Sequence, residues 1–351
     1  MQIGFLSTEN NCPFLPSLEK TLTQKGHELV CSLFIRDAAD FAEALNYAAM
    51  QSQAIIYYGE KSKLFDTLKN DYKVNPELSI FELNDTLYAV MENYSEKFVY
   101  DSIIPMLNSK CKTLYTTVVF KTFGKTEEEL RDMLKGYIKN RNRITFSFYP
   151  SCQECEVDIR YSSKMSRETV DAVVGGVART LKDCIYAVGN VTLAEQIIEL
   201  LKSCGKRLSV AESFTGGAIS SALTLVPGAS EVFTEGMVCY GGSSKSERLG
   251  VSADTLSAYG AVSADTVYEM AAGVLERSGC DVCLATTGNA GPTSEKEGEV
   301  GHCFIAVGDM QGIHIFEHNF KGNRETVTES GVKYALYHLY RKLKATETPA
   351  S

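Results

Sequence analysis

The spacing of apolar residues predicts that strands alternate with helices along most of the chain. Residues 2–6 and 53–58 form short apolar runs typical of buried strands, whereas residues 14–25 and 38–51 repeat apolar positions with a helical period. Strands and helices in alternation indicate a parallel sheet that is covered by helices. We therefore expect an α/β domain over residues 1–108.

The pattern changes between residues 112 and 188. A strand from Leu114 to Gly124 precedes a capping box of Thr126 and Glu129, which starts a helix, and the stretches RITFSFY and EVDIRY alternate as two further strands. A second helix follows with an apolar stripe made of Val170, Val173, Val174, Val177 and Leu181. This β-α-β-β-α order is KH-like, but the segment lacks the Gly-x-x-Gly loop with which KH modules clamp RNA. A spacer or dimerisation role is therefore favoured.

Residues 192–345 return to alternating helices and strands. An amphipathic helix leads to the strand RLSVA, and the stretches MVCY and DVCLATT have the continuous apolar character of buried strands. A last helix is predicted from about Glu325 to Leu343. The expected fold class is α/β, with domains over residues 1–108, 112–188 and 192–345.

Length, composition and charge limit the classes of function. A chain of 351 residues exceeds one ordinary core, which supports several domains. Its formal net charge of −9 gives it no general attraction to nucleic acids or anionic membranes. No run approaches the roughly 20 apolar residues of a membrane helix, and the first residues lack the features of a secretion signal. We expect a cytoplasmic protein that acts on a small molecule.

The cysteines do not predict a metal site. All 11 are scattered, which suits a reducing compartment. Cys152 with Cys155 and Cys280 with Cys283 have the spacing of metal ligands, but the second pair falls in a predicted strand, where positions three apart face opposite sides. We expect neither a metal nor a cofactor.

Candidate chemistry begins at Ser213, where the stretch VAESFTGG passes from a strand to a helix. Amides at a helix start are partly positive, so those of Thr215, Gly216 and Gly217 could hold an oxyanion or a phosphate. A serine at this position is either a nucleophile beside an oxyanion hole or the helix N-cap.

Further polar residues complete a candidate site. Ser230 follows a glycine turn, and Tyr240 and Lys245 lie at the end of the MVCY strand and in its loop. A serine needs a base, and a lysine that is kept neutral by desolvation can serve as one. Arg324, at a predicted strand-to-helix junction, suits either a phosphate or a surface salt bridge.

Several long stretches carry a resemblance to a known family. AESFTGG, VPGASEVF, EGMVCYGGSSKSERLGV, YGAVSADTVYEMAAG, TTGNAGP, EVGHCFIAV and FKGNRE occur in the order and spacing of the C-terminal domain of the competence-damage-inducible CinA family. Residues from about 192 to 344 resemble this domain, whose free-standing members are nicotinamide mononucleotide deamidases of the PncC type. The run IYAVGNVTLAEQIIELLKSCGKRLSVAES extends the likeness into the middle segment.

The resemblance implies hydrolysis of nicotinamide mononucleotide to nicotinic acid mononucleotide and ammonia, by a protein that the family's architecture suggests is a homodimer. It implies that a serine and Lys245 are the nucleophile and its base, with Tyr240 and a second serine beside them. The letters do not settle whether Ser213 or Ser230 attacks, and Ser213 is favoured because it lies at the strand-to-helix turn. The substrate-binding residues that it implies are Thr215, Gly216, Gly217, Gly288, Gly291 and Arg324.

The chain also departs from the family pattern. Phe214 stands where members usually have cysteine, Asn289 where they have isoleucine, and Thr328 where they have a basic residue. A nucleotide-binding regulator without turnover therefore remains an alternative to the amidohydrolase.

The first domain departs most from the family. In full-length CinA it resembles a molybdopterin-binding fold, associated with hydrolysis of ADP-ribose, with GDELL and GGLGPT loops. Here the corresponding places hold STENN and YGEKS, which lack the glycines and acidic residues needed for a phosphate and a metal. We predict a degenerate domain that has lost this activity, although residual pyrophosphate hydrolysis is a further alternative.

Overall fold

A computed structural model describes residues 1–9, 11–68, 75–139, 144–293 and 299–347. Within these ranges the chain forms three sheets with helices packed against them. The predicted α/β class is confirmed.

The first sheet has the strand order β2-β1-β3-β5-β4. Its strands are β1 (Gln2–Ser7), β2 (Glu28–Phe34), β3 (Ala54–Tyr58), β4 (Ile80–Leu83) and β5 (Thr86–Met91). All neighbours run parallel except β4 and β5. The sequence pattern singled out β1 and β3, which are buried along almost their whole length, but it missed the largely half-exposed edge strand β2 and also the fully buried β5.

Helices follow these strands, and the first two of them lie where the sequence predicts helices, over residues 14–25 and 38–51. They are α1 (Leu15–Gln24), α2 (Phe41–Gln51), α3 (Lys61–Leu68), α4 (Glu96–Phe98) and α5 (Ile104–Ser109). The helix predicted over residues 38–51 begins with a 3₁₀ turn before α2.

The second sheet has the order β7-β8-β6-β9. Its elements are β6 (Tyr115–Phe123), α6 (Glu127–Met133), α7 (Lys135–Lys139), β7 (Ile144–Ser151), β8 (Glu154–Ser162), α8 (Arg167–Thr180) and β9 (Ile185–Val188). The predicted capping box is present, because Thr126 and Glu129 exchange side-chain-to-backbone hydrogen bonds. The predicted β-α-β-β-α order is extended by β9, which is antiparallel to β6.

The third sheet has the order β11-β10-β12-β13-β14. Its strands are β10 (Leu208–Glu212), β11 (Phe233–Val238), β12 (Val282–Gly288), β13 (His302–Asp309) and β14 (Gly312–Asn319). The accompanying helices are α9 (Leu193–Cys204), α10 (Ala218–Thr224), α11 (Gly242–Leu249), α12 (Ala253–Tyr259), α13 (Ala264–Ser278) and α14 (Arg324–Glu347). Strands β11, β10 and β12 run parallel, and β13 and β14 return antiparallel.

Helices cover both faces of the third sheet. One face packs Val210, Leu284 and Ile305 against α9, α10 and α14, and the other packs Ala211, Ala285 and Ala306 against α13. Because neighbouring residues of a strand point to opposite faces, the continuous apolar runs of β10 and β12 follow from burial on both sides.

The structure corrects the prediction for MVCY. The strand β11 is an edge strand that ends at Val238, and its residues alternate between half-buried and exposed. Cys239 is fully buried after the strand, whereas Val238 and Tyr240 are exposed. Within this run, Cys239 belongs to the core and Tyr240 borders the cleft, so its apolar character does not come from a buried strand.

The described residues divide into two compact units. One comprises Met1–Val118, Gly136–Ser147 and Asp158–Val177, and the other comprises Val119–Lys135, Phe148–Val157 and the chain from Ala178 onward. Residues of the second sheet belong partly to each unit. The three-domain boundaries given above stay a prediction. No helix within the described ranges is both long and apolar enough to cross a membrane.

Gly273 allows two helices to approach closely, and its replacement should destabilise the protein. A Cβ at this position of α13 would lie 1.8 Å from the carbonyl oxygen of Leu249, the last residue of α11. Alanine in a helix ordinarily gains about 1 kcal/mol over glycine. Overpacking costs about 1–3 kcal/mol and should win. We expect Gly273→Ala to lower the free energy of unfolding in urea.

Gly136 provides the matched control. It lies in α7, and a Cβ there would meet nothing within 4 Å. Gly136→Ala should stabilise the protein by up to about 1 kcal/mol. Two substitutions of the same kind should therefore change stability in opposite directions, and equal effects would contradict the close approach.

Candidate active site

The site lies at one edge of the third sheet. Strands β10, β11 and β12 are parallel, so their carboxyl ends meet at this edge, where ligands of such sheets usually bind. Ser213 directly follows β10, Lys245 lies in the helix after β11, and Gly288 ends β12. Three distant parts of the sequence are brought together by strand order.

Ser213 lies in a sharp turn between β10 and α10. It is 6% exposed, and its amide donates to the carbonyl of Thr286 at 3.1 Å. Gly216 and Gly217 have positive φ angles of 61° and 97°, which glycine adopts at little cost. The N-cap of α10 is Gly217, so the alternative in which Ser213 is the N-cap is wrong.

Lys245 is buried beside this serine. Its side chain is 1% exposed, and its Nζ lies 2.8 Å from Ser213 Oγ. The same nitrogen donates to the carbonyl of Cys239 at 3.0 Å and to that of Tyr240 at 3.4 Å. Two carbonyls thus hold the amine so that its remaining position faces the serine hydroxyl.

The predicted loop position of Lys245 is wrong. Gly242 begins a helix, and Lys245 lies near the start of α11 on its buried side. The glycines and serines before it are small enough to begin a helix at the cleft, which sequence spacing alone does not distinguish from a loop.

Burial lowers the pKa of Lys245 below its ordinary value of 10.5, while the nearby Cys239 thiol opposes this shift. A desolvated ammonium is costly, so the neutral amine is favoured. Among the described residues, no carboxylate lies within ion-pair distance of this nitrogen. The surroundings of Lys245 are those of a lysine that acts as a base.

Tyr240 and Arg324 meet at the mouth of the cleft. Arg324 Nη2 donates to the hydroxyl of Tyr240 at 2.5 Å, and Nη1 donates to the carbonyl of Gly291 at 2.6 Å. Tyr240 is 59% exposed, and only its backbone carbonyl contacts Lys245. The phenol is thus placed toward a ligand's outer end and not in the Ser213–Lys245 pair.

The predicted glycine-rich oxyanion site is corrected by the structure. The amide of Gly217 donates to the carboxylate of Glu212 at 2.9 Å, and that of Gly216 donates to the carbonyl of Ser213 at 3.1 Å. The hydroxyl of Thr215 is buried and bonds to that of Thr286 at 2.9 Å. The amides of Gly216 and Gly217 thus already have partners within the protein, and the described lining of the cleft includes none of Thr215, Gly216 and Gly217.

Ser230 is not brought to the site. It lies in a 3₁₀ turn before β11 begins, whereas Tyr240 follows the end of the same strand. The length of β11 therefore separates Ser230 from the cleft, so the place beside the pair that the resemblance implied for Ser230 is wrong.

Gly288 and Gly291 line the cleft as predicted, together with residues that the sequence did not single out. The cleft has a volume of about 970 Å³ and includes Ala261, Val262 and Thr287. Thr287 donates through its hydroxyl to the carbonyl of Ala261 at 2.6 Å. The sequence signal that could have identified Thr287 is its place in the stretch TTGNAGP. Residues 294–298 of the loop from Thr286 to Gly301 lie outside the described residues.

The residues that depart from the family pattern have defined surroundings. Phe214 is 4% exposed and packs with Ala290, Cys303, Phe320 and Val327. The side chain of Asn289 accepts the amide of Gly291 at 2.9 Å and so shapes the cleft loop. Thr328 is half-buried in α14 and does not line the cleft.

Within the described residues, no group of three or more histidine, cysteine, aspartate or glutamate side chains is placed to hold a metal ion. The described site therefore consists of a buried amine, a hydroxyl and an exposed guanidinium. This combination suits acyl transfer on a substrate that carries an anionic group.

The chain is similar to proteins of one family. Residues 190–343 match the family model of the CinA C-terminal domain. A Bacillus pumilus protein provisionally named as competence-damage inducible is 30% identical over 309 residues, which cover 84% of this chain and 71% of the relative. A similarly named Caldicellulosiruptor saccharolyticus protein is 36% identical over 240 residues, but this covers only 58% of its length against 67% of this chain.

Solved structures carry the same family name. A CinA superfamily protein from Klebsiella pneumoniae is 32% identical, with a TM-score of 0.43, and the match covers 44% of this chain and 96% of that one. The family model and the Bacillus pumilus relative decide the assignment. This chain is a member of the CinA family.

Proposed function

We propose that this protein is an amidohydrolase that converts nicotinamide mononucleotide to nicotinic acid mononucleotide and ammonia. The observation that carries the proposal is the buried Lys245 Nζ at 2.8 Å from Ser213 Oγ, on the wall of a cleft. Membership of the CinA family and the resemblance to its PncC-type deamidases supply the substrate. The names of the relatives do not state this activity.

The proposed reaction begins when neutral Lys245 takes the hydroxyl proton of Ser213. Oγ then attacks the carboxamide carbon, and the carbonyl oxygen becomes an oxyanion. In a nucleophile turn of this kind, the backbone amide of the residue after the nucleophile stabilises the oxyanion. In this chain that residue is Phe214. Lys245 returns the proton to the departing nitrogen, the C–N bond breaks, and ammonia leaves an acyl-enzyme ester.

Water completes the cycle. Lys245 takes a proton from a water molecule, whose oxygen attacks the ester carbon. The bond to Ser213 Oγ breaks, and the serine regains its proton from Lys245. The product is a carboxylic acid, and one amine serves as base and acid in both halves.

Arg324 and Tyr240 support recognition of the substrate's phosphate. The guanidinium of Arg324 is exposed at the cleft mouth and is bonded to a phenol and a backbone carbonyl, which are neutral partners. An incoming phosphate would offer stronger, charge-assisted hydrogen bonds. We infer that Arg324 exchanges these partners for the phosphate.

A regulator that binds the nucleotide without turnover is the second candidate. Phe214, next to the nucleophile, is the departure that favours it. Buried Lys245 argues for chemistry instead, because binding alone requires no desolvated amine in contact with a hydroxyl.

For the first domain we propose the loss of pyrophosphatase activity. Phe14 stacks on Tyr94 with ring centroids 4.3 Å apart and meets the edge of Tyr58 at 4.7 Å. Tyr58 ends β3 at the carboxyl edge, so aromatic rings occupy a place where such sheets usually bind phosphates. Asn10 of the STENN loop lies outside the described residues.

The remaining expectations stay predictions. A homodimer is expected from the family's architecture, and a cytoplasmic protein without nucleic-acid or membrane partners is expected from charge and sequence. A small-molecule substrate is part of the proposal above.

Ammonia release from nicotinamide mononucleotide tests the reaction. Ser213→Ala and Lys245→Ala should each lower kcat by about 10³-fold or more, because each removes a group that takes part in bond making. Ser230→Ala should keep the acyl-enzyme step, since it leaves the Ser213–Lys245 pair intact. Equal rates in wild type, Ser213→Ala and Lys245→Ala would reject the mechanism. Mononucleotide affinity in calorimetry without any product would favour the regulator.

The lowered pKa of Lys245 predicts how stability depends on pH. The folded-state pKa lies below the unfolded value, so protonation of this lysine favours the unfolded state. This effect on the free energy of unfolding is absent above about pH 10.5 and grows as the pH falls toward the folded-state pKa. Lys245→Met removes this effect. The melting temperature of Lys245→Met relative to wild type should therefore rise as the pH is lowered from 10.5. The exposed Lys97→Met is the control and should show no such trend.

The role of Arg324 can be tested with two substrates. Arg324→Gln should raise KM for nicotinamide mononucleotide about tenfold or more, because a charge-assisted pair with the phosphate is lost. Nicotinamide riboside, which lacks the phosphate, should be turned over equally by wild type and variant. An equal loss on both substrates would show that Arg324 does not meet the phosphate.

A further inference from the structure

Glu212 is a buried carboxylate for which the proposed chemistry gives no role. It is the last residue of β10, directly before Ser213, and is fully buried. Removing a carboxylate from water is expensive unless hydrogen bonds compensate. Its position next to the nucleophile makes those bonds informative.

Within the described residues, the Glu212 carboxylate accepts four hydrogen bonds from the first turn of α10. Oε2 accepts the amides of Gly217 and Ile219 at 2.9 and 3.1 Å. Oε1 accepts the amide and the hydroxyl of Ser220 at 2.8 and 2.6 Å. One side chain thus fastens the end of β10 to the start of α10, and Ser213 lies in the segment between these two points.

The main chain of Glu212 is tied to the other half of the catalytic pair. Its carbonyl accepts the amide of Cys239 at 2.7 Å, and the carbonyl of Cys239 accepts a hydrogen bond from Lys245 Nζ at 3.0 Å. Glu212 therefore directly precedes the nucleophile in the chain, and through Cys239 its main chain is also connected to the base, Lys245.

The space around this network fits it closely. A Cβ on Gly236 of β11 would lie 2.0 Å from Ser220 Oγ. Since no side chain stands there, Ser220 can remain where its hydroxyl reaches Glu212.

We propose that Glu212 is a positioning residue of the amidase, which holds Ser213 Oγ within reach of Lys245 Nζ by fastening the turn on both sides of the serine. The inference rests on the proposed function for its kinetic consequence. Glu212 is not among the described residues that line the cleft. Its loss should therefore affect reaction more than binding.

Glu212→Gln is the test because it keeps the size of the side chain. One oxygen becomes an amide nitrogen that points its hydrogens at groups that are themselves donors. A displaced nucleophile costs about 10²-fold per ångström, so we expect kcat to fall about 10- to 100-fold with KM within about twofold. Sulfonylation of Ser213 by phenylmethanesulfonyl fluoride should slow by a similar factor, while calorimetry with nicotinamide mononucleotide shows unchanged affinity.

Glu269→Gln is the matched control. Glu269 likewise accepts a backbone amide and a hydroxyl, those of Ser252 and Thr255, at 2.7 and 2.6 Å. It fastens α12 to α13, and none of its described hydrogen bonds reaches the nucleophile turn. We expect this variant to lose stability but to keep wild-type kcat and labelling.

Each outcome decides something. Folded Glu212→Gln with wild-type kcat and labelling would overturn the positioning role, as would an equal kinetic loss in Glu269→Gln. If Glu212→Gln does not fold, Ser220→Ala decides, since it removes one of the four bonds: unchanged kcat and labelling would again overturn the proposal. If wild type releases no ammonia while Glu212→Gln still slows labelling of Ser213, the proposed function fails and the positioning role stands.

Discussion

The site depends on an amine that is buried in contact with a hydroxyl. Lys245 Nζ is almost fully removed from water, and its described partners are Ser213 Oγ and two backbone carbonyls. This arrangement lowers the pKa of the lysine by desolvation. Burial of the protonated amine therefore lowers the free energy of unfolding. Strongly shifted pKa values occur mainly at functional sites. The contact between the two side chains therefore favours a functional role over separate structural roles for the serine and the lysine.

The rest of the third sheet supplies the geometry that this contact needs. Parallel strands β10 and β11 end at one edge, so Ser213 and the start of α11 lie side by side although 32 residues separate Ser213 from Lys245. Positive φ angles at Gly216 and Gly217 let the chain reverse sharply after the serine. The carboxylate of Glu212 then accepts hydrogen bonds from amides at the start of α10, which have no partner within the helix. Backbone conformation and one buried carboxylate together define where the hydroxyl points.

Sequence patterns predicted what is local and missed what is tertiary. The α/β class and the capping box at Thr126 follow from spacing within a few residues, and these are confirmed. The helical position of Lys245 was missed because the preceding glycines and serines resemble a loop. The resemblance placed Ser230 beside Tyr240, but the two residues lie at opposite ends of β11. Glu212 was overlooked because the value of a carboxylate at a strand end depends on a helix turn that packs against it.

The departures from the family pattern are compatible with the contact between Ser213 and Lys245. The ring of Phe214 lies where a Cβ on Gly331 would come within 2.4 Å and one on Gly288 within 3.0 Å, so two glycines make room for it. It borders the cleft, but its side chain is almost fully buried in an apolar cluster. Asn289 replaces packing by a hydrogen bond to Gly291, whose carbonyl accepts a hydrogen bond from Arg324. The contact of 2.8 Å between Lys245 Nζ and Ser213 Oγ is therefore present with Phe214 and Asn289 in place.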